Sequence, residues 1–151
     1  MTHKNFENEE AKKLLKEYKQ LIVRKKQLDK LISDLEKEVL SAKSPIVDPT
    51  LIGSNSSLAS KISFLVDLKN EYENIVINLN NKILIIEKAL MNVAKNSGVL
   101  YANILHYKFI EGNTLEAISV IIGYTYRQTI RYYNKALKNF YISFSKVTIK
   151  N

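Results

Sequence analysis

The chain has 151 residues, of which 46% are hydrophobic and 25% charged, values typical of one folded domain with or without an extension. Lys and Arg number 23 against 15 Asp and Glu, and the resulting net charge of +8 favours anionic partners. There is no cysteine, so disulfides and thiolate zinc sites are excluded.

Residues 5–42 carry the first long helical pattern. A leucine recurs every seven residues, and a second inward position follows each leucine by four residues. This 4-3 repeat is held over four heptads, which predicts a supercoiled helix rather than an ordinary surface helix. The repeat positions are Leu14, Tyr18, Leu21, Lys25, Leu28, Ile32, Leu35 and Val39.

Residues 58–96 repeat this arrangement after a linker at residues 42–57, in which Pro45, Pro49 and Gly53 disfavour helix. The two patterns match in length, and the linker is longer than a tight turn needs. Residues 1–98 are therefore predicted to form an antiparallel coiled-coil hairpin for oligomerisation or partner binding. The pattern leaves open whether the seam closes within one chain or between chains. The repeat positions are Leu58, Ile62, Leu65, Lys69, Tyr72, Val76, Leu79, Ile83, Ile86, Leu90 and Val93.

Each seam contains one lysine, Lys25 in the first helix and Lys69 in the second. A fold about the centre of the linker would place Lys25 at the level of residues 69–73. Because an unpaired buried ammonium group is costly, Lys25 is predicted to pair with Glu71 or Glu73.

The excess of positive charge is concentrated after residue 98. Residues 1–98 contain 16 basic and 13 acidic side chains, whereas residues 99–151 contain 7 basic and 2 acidic ones. Nucleic-acid binding is therefore expected in a second domain, residues 99–151. Its first helix is predicted at residues 99–110. The side chains expected to face inward from it are Leu100, Ile104, Tyr107 and Ile110.

Residues 114–140 predict two further helices joined by a turn at Gly123, which can end the first of them with a positive φ. Thr114 and Thr125 each have the hydroxyl of an N-cap. The inward stripes are Leu115, Ile118, Ile121 and Ile122 in the first helix, and Thr129, Tyr132, Tyr133, Ala136, Leu137 and Phe140 in the second. The opposite face of the second helix carries Arg127, Arg131, Asn134 and Lys138. Such a basic helix is suited to enter a DNA major groove.

The stretch at residues 107–137 resembles region 4 of bacterial sigma factors and related phage regulators. The matching positions are Lys108 and Phe109 in place of an Arg–Tyr pair, Gly112, Thr114, Ile118, Gly123, Tyr124, Thr125, Arg127, Arg131, Ala136 and Leu137. Three departures are Lys108 itself, Ser119 in place of an alanine, and Thr129 in place of a valine. With the hairpin in front, the chain is similar to phage late transcription regulators of the ArpU/RinA type.

This resemblance implies an all-α fold, with the long N-terminal hairpin followed by a three-helix, helix–turn–helix module. It also implies a sequence-specific, double-stranded DNA-binding regulator that activates late genes. The recognition helix would be residues 125–140, and its first turn would meet base edges. The hydroxyl of Thr114 and the first amides of its helix would suit a backbone phosphate. The implied DNA-binding residues are Thr114, Thr125, Tyr126, Arg127, Gln128, Arg131, Asn134, Lys135 and Lys138.

No pattern in the sequence indicates an enzyme, a metal site or a cofactor. His3 and His106 are isolated from other ligands, and the acids lie along helix faces beside lysines. The tyrosines of the basic helix have core spacing, and Tyr126 alone is placed to stack on a base, so duplex DNA is preferred over single strands. The tail at residues 142–151 is predicted to be a frayed extension or an arm.

The expected partners are double-stranded DNA, host RNA polymerase and further copies of the chain. A dimer is the favoured oligomer because paired half-sites require two modules at a fixed spacing. The polar N-terminus is unlike a signal peptide and no apolar run could cross a bilayer, so a cytoplasmic location in a bacterial host and no membrane partner are expected. Two alternatives remain open: a small terminase subunit that recognises phage DNA for packaging, and a coiled-coil protein that binds RNA polymerase or a sigma factor.

Overall fold

The computed structural model describes residues 2–42 and 55–150, and every secondary-structure element in these two ranges is helical. The helices are α1 (Thr2–Ala42), α2 (Asn55–Asn96), α3 (Val99–Leu105) with a π-helical turn (His106–Ile110), α4 (Leu115–Ile122) and α5 (Tyr126–Lys150). The predicted all-α class is confirmed, and the two long helices pack together. Most of the predicted linker, at residues 43–54, lies outside the described residues.

The chain divides into two compact units. The core unit consists of Met1–Ile22 together with Lys82–Asn151, and the hairpin unit consists of Val23–Asn81. Both long helices therefore contribute to both units. The boundary at residue 98 predicted from the sequence is not a boundary between these compact units. As a division of functions it stays a prediction.

In the hairpin unit, α1 and α2 face each other through their heptad positions. Leu28, Leu35 and Leu65 are buried there, and the other repeat positions are half-buried except for Leu58, which is exposed. Lys69 Nζ lies 3.4 Å from Glu36 Oε1. Val39 and Leu40, which follow Glu36 in α1, line a groove with Val66, which precedes Lys69 in α2. The two helices therefore run in opposite directions within this unit, and a seam closed within one chain accounts for the burial.

The predicted partner of Lys25 is wrong. With Glu36 opposite Lys69, Lys25 lies at the level of about residue 80 rather than residues 69–73. The residue opposite Lys25 is thus one heptad further along α2 than a fold about the centre of the linker would place it. A 4-3 seam repeats every seven residues, so a slide of one heptad brings equivalent positions together and the pattern cannot distinguish the two registers. Lys69 has the acidic partners instead, Glu36 and Glu73, and its hydrogen bond with Glu36 is the main cause that raises its pKa.

The core unit has one hydrophobic core to which all five helices contribute. Its buried members are Ala11, Leu15, Tyr18, Ile83, Ile86, Ala89, Val93, Ile104, Leu105, Phe109, Ile118, Tyr133, Ala136, Leu137 and Phe140. Burial of such side chains stabilises each by about 1.5–3 kcal/mol relative to exposure. Residues of α1 from Ala11 to Tyr18 therefore share one packed interior with residues from the last third of the chain.

Tyr18 is the polar link between α1 and α2 in this unit. Its hydroxyl donates a hydrogen bond of 3.0 Å to Glu87 Oε1. Burial, the hydrogen bond and the charge of Glu87 together raise the pKa of Tyr18 to about 12. Burial and the charge of Glu9 raise the pKa of Tyr133 to about 12 as well.

The predicted ends of α4 and the start of α5 are confirmed. Thr114 Oγ1 accepts a hydrogen bond from the Ala117 amide at 3.2 Å, and Thr125 Oγ1 accepts one from the Gln128 amide at 3.1 Å. Gly123 ends α4 with φ 74° and ψ 28°, a left-handed conformation in which a side chain would be strained. A glycine is thus needed at the turn that redirects the chain from α4 into α5.

One sequence prediction about an inward position needs correction. Ile121 is 50% exposed rather than inward, because on a helix it lies on the far side of Ile118 from Leu115 and Ile122. In the segment after α3, the π-helical turn adds a residue, and the Glu111 amide bonds to the His106 carbonyl five residues earlier. Phe109 is therefore buried as well, while Tyr107 and Ile110 are half-buried against the same core, in keeping with the inward positions predicted for them.

The predicted frayed tail is wrong, because α5 continues as a helix to Lys150. Phe144 stacks on Phe140 with ring centroids 6.1 Å apart, and Ser143 is buried. The hydroxyls of Ser145 and Thr148 donate to backbone carbonyls one turn earlier, so these polar residues are compatible with a helix. The first part of this tail thus continues the amphipathic helix, with Ser143 and Phe144 on its inner side.

Candidate nucleic-acid interface

The basic side of α5 is open to solvent. The four polar residues predicted on its outer face and Lys135, a fifth predicted DNA-binding residue, are all exposed, and among the described residues none of them forms an ion pair with an acid. They are Arg127, Arg131, Asn134, Lys135 and Lys138. Positive charge that is not neutralised by the protein itself remains available to an anionic partner.

Packing on the opposite side of α5 fixes this orientation. Thr129, Ala136, Leu137 and Phe140 are almost fully buried, and the Thr129 hydroxyl donates to the Thr125 carbonyl at 2.9 Å. Because the threonine satisfies its own polar group on the backbone, it occupies the core position that the sequence pattern assigned to it. The helix cannot turn its basic side inward without exposing these residues.

The first turn of α5 is held by a reciprocal cap. Gln128 Oε1 accepts hydrogen bonds from the Thr125 backbone amide at 3.2 Å and from Thr125 Oγ1 at 3.1 Å. The backbone amide of Gln128 donates in turn to Thr125 Oγ1. This is the capping-box arrangement of a Thr followed three residues later by Gln. The acceptor of the Gln128 side chain is therefore occupied, and its amide nitrogen is the group left to meet a ligand. Bidentate pairing with adenine needs both groups.

Tyr126 and Arg127 lie at the same end and are exposed, with 46% of the Tyr126 surface accessible. Both side chains therefore project into solvent from the first turn of α5. Thr114, at the start of α4, is also exposed, and its hydroxyl can donate to a ligand while it accepts from Ala117. Glu116, two residues later, places a negative charge beside this group, which weakens its attraction for a phosphate.

Three tyrosines that the sequence analysis did not assign to the site border the basic side. Tyr132 packs edge-to-face on Tyr101, with centroids 5.8 Å apart, and on Tyr124, at 5.2 Å. Tyr101, Gln128, Arg131, Tyr132 and Lys135 line an open pocket of about 310 Å³. Tyr101 belongs to α3, so no spacing within α5 could have indicated it.

The described residues contain no group of three or more His, Asp and Glu side chains that could hold a metal ion. His106 Nε2 lies 3.6 Å from Glu111 Oε1, both on the surface at the end of the π-helical turn. The chemistry that the exposed face of α5 offers is the binding of anions by cations and hydrogen-bond donors.

A comparison of the chain with known protein families, curated proteins and solved structures finds no match. Within residues 2–42 and 55–150, no helix combines the length and the apolar character needed to span a lipid bilayer.

Proposed function

We propose that α4, the turn at Gly123 and the first half of α5 form a helix–turn–helix that binds double-stranded DNA, with α5 as the recognition helix. The observation that carries this proposal is the exposed basic side of α5, which begins at a capped and accessible N-terminal end. The resemblance to sigma-factor region 4 and to phage regulators of the ArpU/RinA type supports the same assignment. The protein would then be a phage transcription regulator that activates late genes.

The charge distribution supports DNA over an acidic protein as the partner. Residues 99–151 carry 7 basic and 2 acidic side chains, and the cations of α5 recur along one face over about three turns. A duplex presents phosphates on both sides of its major groove, at separations comparable to the length of this basic face. A straight basic helix can therefore meet several of them. Host RNA polymerase is proposed as a further partner on the resemblance alone.

The hairpin unit supports the proposed oligomer. A two-helix hairpin can bury only the side on which its helices meet, and in this unit several large apolar side chains remain exposed. They are Val23, Leu31, Leu40, Leu58, Phe64, Ile75 and Ile77. A second copy of the chain would cover such side chains, and a dimer would place two recognition helices on paired half-sites.

The first experiment is footprinting of the purified protein on DNA that flanks its gene, with the oligomeric mass measured by light scattering. A dimer or tetramer that protects a site near a promoter is the expected result. A ring of eight or more chains would instead favour a small terminase subunit. A protein that binds RNA polymerase but leaves duplex DNA unprotected in dilute buffer would contradict the proposal.

Two substitutions separate base reading from phosphate binding. Arg127→Ala should lose about 1–3 kcal/mol of discrimination between the protected site and random duplex, because arginine at this turn can pair with a guanine edge. Lys138→Ala should weaken binding to all sequences alike and lower the salt-dependence slope by about 1. Lys146→Ala, an exposed lysine further along α5, is the matched control. Equal losses on specific and random duplexes for Arg127→Ala would refute its base-reading role.

A further inference from the structure

The pocket beside the basic side of α5 is formed between two helices. Tyr101 projects from α3, and Gln128, Arg131, Tyr132 and Lys135 project from α5. The Lys135 ammonium lies 5.5 Å from the centre of the Tyr101 ring, within the range of a cation–π interaction. The pocket therefore joins α3, which lies outside the proposed helix–turn–helix, to the proposed recognition helix.

The polar groups that line this pocket are suited to an anion that only accepts hydrogen bonds. Arg131 and Lys135 have donors and no acceptors. The Gln128 side chain offers its amide nitrogen, because its oxygen is engaged by Thr125. The Tyr101 hydroxyl can donate, and no acidic residue lines the pocket. A phosphodiester carries a negative charge and acceptors alone, whereas a base edge carries no net charge.

The walls of the pocket hold its donors in place. Tyr132 packs edge-to-face against both Tyr101 and Tyr124, and such aromatic pairs contribute beyond the burial of their area. A side chain at Gly98 would lie 3.6 Å from the Tyr101 ring, so the start of α3 passes close to this ring. Tyr101 is thus positioned before any ligand binds, which reduces the entropy lost on binding.

We propose that this pocket binds a backbone phosphate of the DNA strand at the edge of the groove, and that the Tyr101 hydroxyl donates to the same phosphate as Arg131 and Lys135. The inference rests on the proposed binding of duplex DNA and extends the interface to α3. A contact of this kind fixes the orientation of the recognition helix and carries no sequence information.

The test is Tyr101→Phe in the full-length protein, which removes the hydroxyl and keeps the ring and its packing. Binding to duplex DNA should weaken about tenfold, on the protected site and on random sequence alike, because a hydrogen bond to a charged group is lost. The salt-dependence slope should stay unchanged, because no charge is removed. Tyr107→Phe, a half-buried tyrosine on the adjacent turn that does not line the pocket, is the control and should bind as the wild type does.

A double-variant cycle decides whether one phosphate is shared. Lys135→Gln alone should lower the salt slope by about 1. When Tyr101→Phe is added to Lys135→Gln, the further loss should be well below tenfold, because groups that contact one phosphate are coupled. Circular dichroism of each variant verifies that the fold is kept.

Three results would overturn the inference. One is that Tyr101→Phe binds duplex DNA within about twofold of the wild type. Another is that the affinity loss of the double variant equals the product of the losses of Tyr101→Phe and Lys135→Gln, which would show that the two residues act independently. Alternatively, Tyr101→Phe could be silent while Tyr101→Leu weakens binding to single strands, which would make the ring a base-stacking surface. The proposed function fails separately, if the wild type itself ignores duplex DNA at low salt.

Discussion

Gln128 combines a structural role with a position at the proposed DNA interface. Its oxygen closes the cap of α5 on Thr125, and the residue also lines the pocket with Arg131 and Lys135. Because Gln128 caps α5, it fixes the first turn, from which Tyr126 and Arg127 project. The sequence-based role of Gln128 as an adenine reader is thus in competition with its capping role, since one oxygen serves both.

Substitution of Gln128 should separate the two roles. Gln128→Glu keeps an acceptor for the Thr125 amide and adds a negative charge at a helix N-terminus, so stability should be retained. The same charge should repel phosphate and weaken DNA binding on every sequence. Gln128→Ala should lower the free energy of unfolding by about 1 kcal/mol, because the hydrogen bond that Gln128 Oε1 accepts from the Thr125 amide is lost while the Thr125 cap itself remains. Urea denaturation and gel-shift titration measure these effects, and an unchanged stability for Gln128→Ala would contradict the capping role.

At the scale of the elements, the packing of α1 on α2 in the core unit includes the hydrogen bond from the buried Tyr18 to the exposed carboxylate of Glu87. In the folded state, the pKa of Tyr18 and that of Tyr133 are both raised to about 12, from a usual value of 10.0. Between pH 10 and pH 12, these two tyrosines lose their protons in the unfolded chain and keep them in the folded chain. The free energy of unfolding should therefore fall as the pH rises from about 10 to about 12.

Tyr18→Phe should make this alkaline loss of stability shallower, because the phenylalanine variant has one fewer group that titrates differently in the two states. Tyr133→Phe should act in the same direction. Denaturation at several pH values between 8 and 12 provides the measurement, and Leu15→Ala is a control that lowers stability without removing a titrating group. A slope that is unchanged in both tyrosine variants would show that these residues are not responsible.

At the scale of the whole molecule, the most consequential feature is the composition of the core unit. The inner sides of α3, α4 and α5 pack against Ala11 and Leu15 of α1 and against Ile86 and Val93 of α2. The proposed DNA-binding helices thus depend on both ends of the long hairpin sequence.

This dependence predicts that a fragment of residues 99–151 does not fold by itself, because it lacks seven of the buried residues of the core. Circular dichroism and hydrogen exchange of the fragment provide the measurement. In the full chain, Leu15→Ala should lower the free energy of unfolding by about 2–5 kcal/mol and destabilise α5 together with α1. A fragment with cooperative unfolding and undiminished DNA binding would instead support an independent domain that begins at residue 99.

The sequence by itself determined the helical class, the ends of α4 and the start of α5. These are local properties: the heptad repeat of the leucines, the hydroxyls of Thr114 and Thr125, and the glycine at position 123 act within one or two turns. The outward direction of the basic side of α5 was also predictable, since Thr129, Ala136 and Leu137 define the inner side by spacing alone. The role of that side in DNA binding stays a prediction.

Only the tertiary structure decided the register of the hairpin, the length of α5 and the place of Tyr101. A heptad pattern is unchanged by a slide of seven residues, so the pairing of Lys69 with Glu36 depends on the fold of the whole chain. The end of α5 depends on the packing of Phe144 against the core, and the pocket depends on the approach of α3 to α5. Each of these features brings together residues that are distant in sequence, and spacing along one helix contains no information about such contacts.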